Sequence, residues 1–510
     1  MKALTAIIKL TLRNAIRSHV FQLLLLFLLL FVALVPTTVG GGTAADFIRV
    51  SLLYSLSGIG AILSISALWV GCQVMSSDID SYQLHMVVSK PVSRVTIWFG
   101  KYLGVLILHL ILLALAAAAV YGVVLWRFKH GDFPEEERRR IENEVLVGRR
   151  VFLPVKTIYT PKKTIDNSKS GPETITIEFS EIEKLARERM IQKLGKSGKS
   201  MSQQEQDRLY KECLKEVIRD ASEVEAGGQR EWVFENVPAD AERALYLRFR
   251  PYINKVKSED QRETTVGISF EIPRSALNAE RKQDDVGGED RFMFPVSKLD
   301  LMAGKFQEFP PLRGDSGIVS PKGEVRVGLT NLDDDYVFRV NQKREAAGLE
   351  PLKDKDVKHY YQPTDGPMLL VKITGFLGNY SRAILVLALQ LAMMAAISCA
   401  LGGFLTLPTA VFVSTSYLIF GFMATFMTDT EFYVSDAMDR AGQGISQYIL
   451  NVVVPLSRFD VTDLIADGKL VEWSLIWNIT WTCLLLRTLP LVLIGIYFYR
   501  RREIGLVIRK

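Results

Sequence analysis

The sequence predicts a polytopic α-helical membrane protein with an inserted, folded α+β domain outside the membrane. Three observations predict it. Six apolar runs each approach the roughly 20 residues that a spanning helix needs. The stretch 127–375, between the third and fourth runs, changes to short segments of alternating apolar and polar residues. Basic residues gather on the tails and on one connection, as they do on the cytoplasmic side of a membrane.

Composition agrees with a membrane part joined to a sizeable soluble part. The 510 residues are 48% hydrophobic and carry a net charge of +6. The mean hydropathy is +0.15, high for a soluble chain and low for a wholly embedded one. Basic clusters at membrane edges account for the charge without nucleic acid as a partner. Of the four cysteines, Cys72, Cys399 and Cys483 sit in apolar runs as small packing residues, and only Cys213 falls in the soluble part. The five histidines are scattered, without the HExxH spacing of a metal site.

The spans are expected at 20–39, 52–75, 102–126, 382–405, 411–427 and 475–499. The first has too long an apolar core for a cleaved signal peptide. Lys2, Lys9, Arg13 and Arg17 precede it without an acid, and Arg500, Arg501, Arg502, Arg509 and Lys510 follow the last span against Glu503. Both tails therefore read as cytoplasmic, which six spans allow. The N-terminal tail also carries an apolar stripe, Leu4, Ile8, Leu12 and Ile16, so it reads as an amphipathic helix on the cytoplasmic leaflet. The acidic stretch 428–473 reads as external, with Gly444–Leu456 a short re-entrant or surface helix.

Within the insertion, strands are expected where Ile175-Ile177-Phe179, Leu245-Leu247-Phe249, Val266-Ile268-Phe270-Ile272 and Val325-Val327-Leu329 alternate with polar residues. Such a set suggests a β-sandwich or jelly roll. Asn331–Tyr336 reads as a solvated turn. Ser180/Glu183 and Ser202/Glu205 have capping-box spacing and open two apolar-striped helices, a helical hairpin. Between them, Gly195–Ser200 resembles half of a phosphate-binding loop, but Lys193 stands where the motif needs its first glycine.

The connection between the second and third spans, 76–101, is the most informative stretch: SSDIDSYQLHMVVSKPVSRVTIWFGK. Asp78 and Asp80 are placed as acids are at a helix N-terminus. A short apolar run follows, Pro91 breaks the helix, and Arg94 to Lys101 returns to the membrane with Trp98 at interfacial depth. The segment resembles the cytoplasmic coupling segment of the ABC-2 exporter permeases. That family shows an acidic pair, a short apolar run, Ser-Lys-Pro-Val-Ser-Arg and then Gly-Lys. Here Ser89, Lys90, Pro91, Val92, Ser93, Arg94, Gly100 and Lys101 match, Asp78 and Asp80 hold the acidic positions, and Tyr82-Gln83 departs from the usual Gly-Thr. The amphipathic N-terminus, the small-residue fourth span and the YRRREIG exit fit too, so the resemblance covers the membrane half, 1–126 and 376–510.

The resemblance implies an ABC-2 exporter-like membrane fold in a bacterial cytoplasmic membrane. It further implies a dimer with a second copy or paralogue and a separate cytoplasmic ATPase that holds ATP and Mg²⁺. No cofactor and no catalytic constellation are expected in this chain. Asp78, Asp80, Lys90, Pro91, Arg94 and Lys101 would couple the ATPase to the spans. Within the bilayer, Arg487 either lines a substrate path or bonds backbone carbonyls, and His109, Gln390 and Asn478 suit interhelical hydrogen bonds. Two other functions fit the sequence. One is an energy transducer whose external domain, 127–375, moves a periplasmic partner without transport. The other is an anchor or receptor lacking an ATPase.

Overall fold

The computed structural model describes residues 2–17, 19–38, 43–80, 92–159, 174–197, 203–238, 245–253, 263–273, 291–309, 317–333, 358–363, 366–429 and 453–501, with short pieces at 341–350. The chain forms two compact units, one of residues 1–148 with 373–510 and one of residues 149–372.

The first unit is helical. Its elements are α1 (Lys2–Arg17), α2 (His19–Thr38), α3 (Ala44–Asp80) and α4 (Arg94–His130). After the second unit come α7 (Phe376–Phe404), α8 (Leu407–Asp429), the short α9 (Thr462–Ala466) and α10 (Trp473–Arg501), with α5 and α6 belonging to the second unit. Among the described residues five helices are long and apolar enough to cross a membrane, or six if the bent pair α1–α2 counts as one span. At 1.5 Å per residue, α3 and α4 run about 55 Å each, well beyond the roughly 30 Å hydrocarbon core.

Small residues set how closely these helices approach. A Cβ on Gly71 would lie 1.9 Å from Ser398 Oγ, and one on Gly402 would lie 2.9 Å from Cys72 Cα. Helix α3 therefore meets α7 almost backbone to backbone, the way spans associate where lipid supplies no hydrophobic drive. The same device seats α1. Gly100 and Gly104 of α4 face Ile7 and Thr11, at 2.7 Å from where their Cβ atoms would be. The face of α1 that carries Ile7 and Thr11 thus packs on α4, and Leu10 and Ile16 remain exposed.

One expectation for the connection between α3 and α4 is corrected. Asp78 and Asp80 do not start a helix: α3 continues unbroken to Asp80, so they stand at its C-terminal end. The apolar run before them stays helical through Met75 and Ser76, and no proline interrupts it. Trp98 and Lys101 both pack into the bundle. Trp98 is fully buried, stacks on Tyr102 and donates through Nε1 to the Cys399 carbonyl at 3.3 Å, while Lys101 is buried beside α3.

The second unit is built of strands and two helices. Its strands are β1 (Val147–Phe152), β2 (Lys156–Tyr159), β3 (Ile175–Glu178), β4 (Glu223–Val224), β5 (Gln229–Phe234), β6 (Leu245–Phe249) and β7 (Tyr252–Ile253). The remainder are β8 (Glu263–Pro273), β9 (Arg291–Met302), β10 (Gln307–Phe309), β11 (Val325–Asn331), β12 (His359–Tyr360) and β13 (Met368–Gly375). They form sheets of order β3-β2-β5-β11-β8-β9, β1-β13-β6-β10 and β4-β12-β7. The inward residues of the two larger sheets, among them Trp232, Ile268 and Val327 on one and Leu247, Phe249 and Leu369 on the other, fill a single core. Period-two alternation delivers each apolar set to that core.

Helices α5 (Ile182–Ser197) and α6 (Gln203–Ser222) pair through Lys193–Glu216 at 2.9 Å and Arg189–Asp220 at 2.8 Å. Ser180 does not cap α5. It lies inside a 3₁₀ turn, Phe179–Glu181, that tightens the chain before the helix. Ser202 lies outside the described residues. Arg230 closes the end of α6 by donating to the carbonyls of Asp220, Ala221 and Glu223. Its burial lowers the guanidinium pKa to about 10. Asp333 is also corrected, because it is not a solvated turn residue. It is 1% exposed, accepts from Thr265 N at 2.7 Å and Thr264 Oγ1 at 2.8 Å, and meets His359 Nε2 at 2.8 Å. Burial alone would raise its pKa, but His359 and these donors hold it below the usual carboxylate range. Finally, strand β13 ends at Gly375 and α7 begins at Phe376, with no residue between them.

Candidate functional site

Two features of the helical unit carry the candidate chemistry. They are the segment that re-enters at α4 and a cavity among the spans.

Ser93 starts α4: its Oγ accepts from Thr96 N at 3.1 Å, which satisfies one of the free amides of the first turn. Arg94 Nη1 donates to the Arg500 carbonyl at 2.7 Å, at the end of α10. One turn on, Trp98 reaches Cys399 of α7. Lys101 Nζ then donates to the Val74 carbonyl of α3 at 2.8 Å. The first eight residues of α4 are thereby bonded to α10, α7 and α3 in turn. Lys90 and Pro91 lie outside the described residues. Asp78 and Asp80 are placed on the backbone of α3.

The polar residues predicted within the bilayer separate into different jobs. His109 is fully buried, with Nε2 3.1 Å from Ser66 Oγ of α3 and Nδ1 2.8 Å from its own helix at the Val105 carbonyl. Gln390 of α7 donates to Ser64 Oγ of α3 at 3.1 Å. Arg487 donates to the Val453 carbonyl at 3.2 Å from a π-helical stretch, Thr480–Thr488, whose wide turn loosens the helix there. Asn478 is engaged within its own helix, by Thr482.

The cavity, about 530 Å³, is lined by α3 (Ser57, Gly58, Gly60, Ala61), α7 (Leu387, Gln390), α8 (Phe422) and the segment before α10 (Leu456, Ser457, Phe459, Asp460, Thr462). Gln390 is the one predicted intramembrane residue it includes, and neither Arg487 nor His109 lines it. Two arginines stand on the same helices as its polar groups. Arg49 donates to the Ala466 carbonyl and pairs with Asp467 at 3.4 Å, and Arg382 donates to the Val471 carbonyl. Each stands eight residues from Ser57 or Gln390 on its helix, so those polar groups lie about 12 Å along the helix from the arginines.

The described segment before α10 is fastened across this end of the bundle. Asn379 donates to the Lys469 carbonyl at 2.7 Å and accepts from Val471 N at 2.8 Å, and Thr462 Oγ1 sits 3.1 Å from Ser57 Oγ. Burial, and then the neighbouring Asp460 and Asp467, raise the Asp463 carboxyl pKa against the opposing pull of Lys469. Sequence reasoning missed Ser57, Thr462 and Asp460. Serine and threonine in apolar helices look alike wherever they point, so the only available signal was the acidic bias of 428–473. Among the described residues no three His, Cys, Asp or Glu side chains stand close enough to hold a metal ion.

In comparisons with known proteins, no family model matches the chain and no curated protein matches it significantly.

Proposed function

We propose that this chain is the membrane-spanning subunit of an ABC-2-type exporter, coupling ATP hydrolysis by a separate cytoplasmic ATPase to export. Its finer fold would be an ABC-2-like helical domain carrying a jelly-roll-type extracytoplasmic module, with both tails cytoplasmic in a bacterial inner membrane. One observation carries the reading: the bonds from Arg94, Trp98 and Lys101 to α10, α7 and α3. A push on the 81–91 connection enters α4 at Arg94 and is passed to three other helices through short polar contacts. A coupling element needs this, because motion must reach packed helices as discrete shifts. The Ser-Lys-Pro-Val-Ser-Arg block supports the same reading, and Ser93 acts in it as the cap that begins the receiving helix.

Affinity purification of the full chain from a bacterial membrane in mild detergent tests this. Co-recovery of a P-loop ATPase is expected, and the pair Lys90→Glu with Arg94→Glu should reduce it. A preparation free of any ATPase, from cells expressing the neighbouring genes, would overturn the reading.

A second reading has its own support. Strand β13 runs into α7 with no residue between them, so a shift of α7 is passed along the chain to Gly375. That suits an energy transducer acting on a periplasmic partner. Transport by the purified complex in vesicles separates the two.

A further inference from the structure

We infer that the cavity between α3, α7 and α8 is a binding site for a cationic amphiphile that enters sideways from the outer leaflet. As a substrate site this rests on the exporter reading; as a binding site it needs only this chain.

The shape argues for the amphiphile. A volume of about 530 Å³ falls in the range of small-molecule pockets. Leu387, Phe422, Leu456 and Phe459 give it apolar walls, and Ser57 and Gln390 add hydrogen-bonding groups. The segment before α10, fastened by Asn379 and Thr462, closes the outward end. Ser57, Ala61 and Phe422 are exposed on the helix sides, so the mouth opens toward the bilayer plane. Polar groups on such a face belong where protein or a polar ligand meets them.

The charge argues for the cation. Asp460 lines the cavity, and no arginine, lysine or histidine does. One of its oxygens, Oδ1, accepts from Thr462, and among the described residues no cation pairs with it. The nearby cations are engaged elsewhere: Arg49 and Lys469 with Asp467, and Arg458 with Thr482. An ammonium or iminium group at Asp460, with its apolar body between Leu387 and Phe422, would satisfy both ends. Near a low-dielectric wall, such a pairing discriminates strongly by sign of charge.

The test uses the full chain in dodecyl maltoside, without any ATPase, and fluorescence anisotropy of rhodamine 6G. Fluorescein, an anionic dye on the same ring system, is the control, and protein-free micelles supply the background. Saturable rhodamine 6G binding is expected, with fluorescein at least about tenfold weaker. Asp460→Asn should weaken rhodamine 6G about tenfold, and Ala61→Trp, which fills the mouth from an exposed position, should abolish binding. Asp463→Asn, outside the lining, should retain it. Equal binding of the two dyes, or rhodamine 6G binding unchanged in Ala61→Trp, would overturn the inference. Because the assay contains no ATPase, its outcome is independent of the co-purification that tests the exporter reading.

Discussion

Lys101 Nζ donates to the Val74 carbonyl across 2.8 Å, joining the two long helices that flank the 81–91 connection from inside the bundle. A buried ammonium held by a backbone carbonyl is specific to that geometry. Lys101→Met keeps the stem and removes the tie. If the exporter reading holds, ATPase co-purification should persist while ATP-driven transport falls about tenfold or more. Vesicle transport, normalised to bound ATPase, measures it. Unchanged transport would remove Lys101 from the coupling path.

Gly71 leaves no room for a side chain against Ser398. Gly71→Val should force α3 from α7 and destabilise the helical unit by about 3 kcal/mol or more. The expected readout is a lower melting temperature in detergent, with Gly122→Val, whose surroundings are open, as the neutral comparison.

At the base of α1, Gly104→Leu should displace Thr11 and release the helix from α4. Limited proteolysis should then cut within residues 2–17 at least several-fold faster, while the melting of the remaining spans changes little.

Arg230→Met would strip three carbonyl partners from the end of α6. Hydrogen bonds to a charged donor contribute about 1.5–3 kcal/mol each, and water can replace part of them at a helix end, so a net loss of about 3 kcal/mol is expected. Faster hydrogen exchange confined to the C-terminal turns of α6 and to β5 would confirm it.

Asp333 gives the pH dependence. Its folded pKa is depressed below 3.8, so its stabilising contribution is fully present above that value and is lost as pH falls through the folded pKa. Asp333→Asn should destabilise the strand-rich unit at neutral pH, and the difference from the native chain should shrink below pH 3.8. Melting curves of the two proteins across this range test the sign.

Much of the architecture was legible because it follows from periodicity. Apolar runs marked the spans, and alternation at Val266–Ile272 and Val325–Leu329 marked strands whose inward residues do reach one core. Contacts between distant residues were not legible. Nothing in the spacing of Asp333 and His359 foretells that they meet, and an acid-rich turn reads as solvated until its partner is placed. Lys101 shows the same limit, since nothing in its surroundings in the sequence points to the carbonyl 27 residues earlier that accepts from it. In the candidate site, Gln390 could be singled out as polar in an apolar run. Asp460 could not, because its meaning comes from the cations around it being committed to other partners.

The junction of Gly375 with Phe376 also limits how this protein can be rebuilt. An α-helix turns about 100° per residue, so one inserted amino acid would swing every side chain of the fourth span to a new bearing relative to the strand that precedes it. Any rebuilding of the helical unit must therefore preserve phase at that seam.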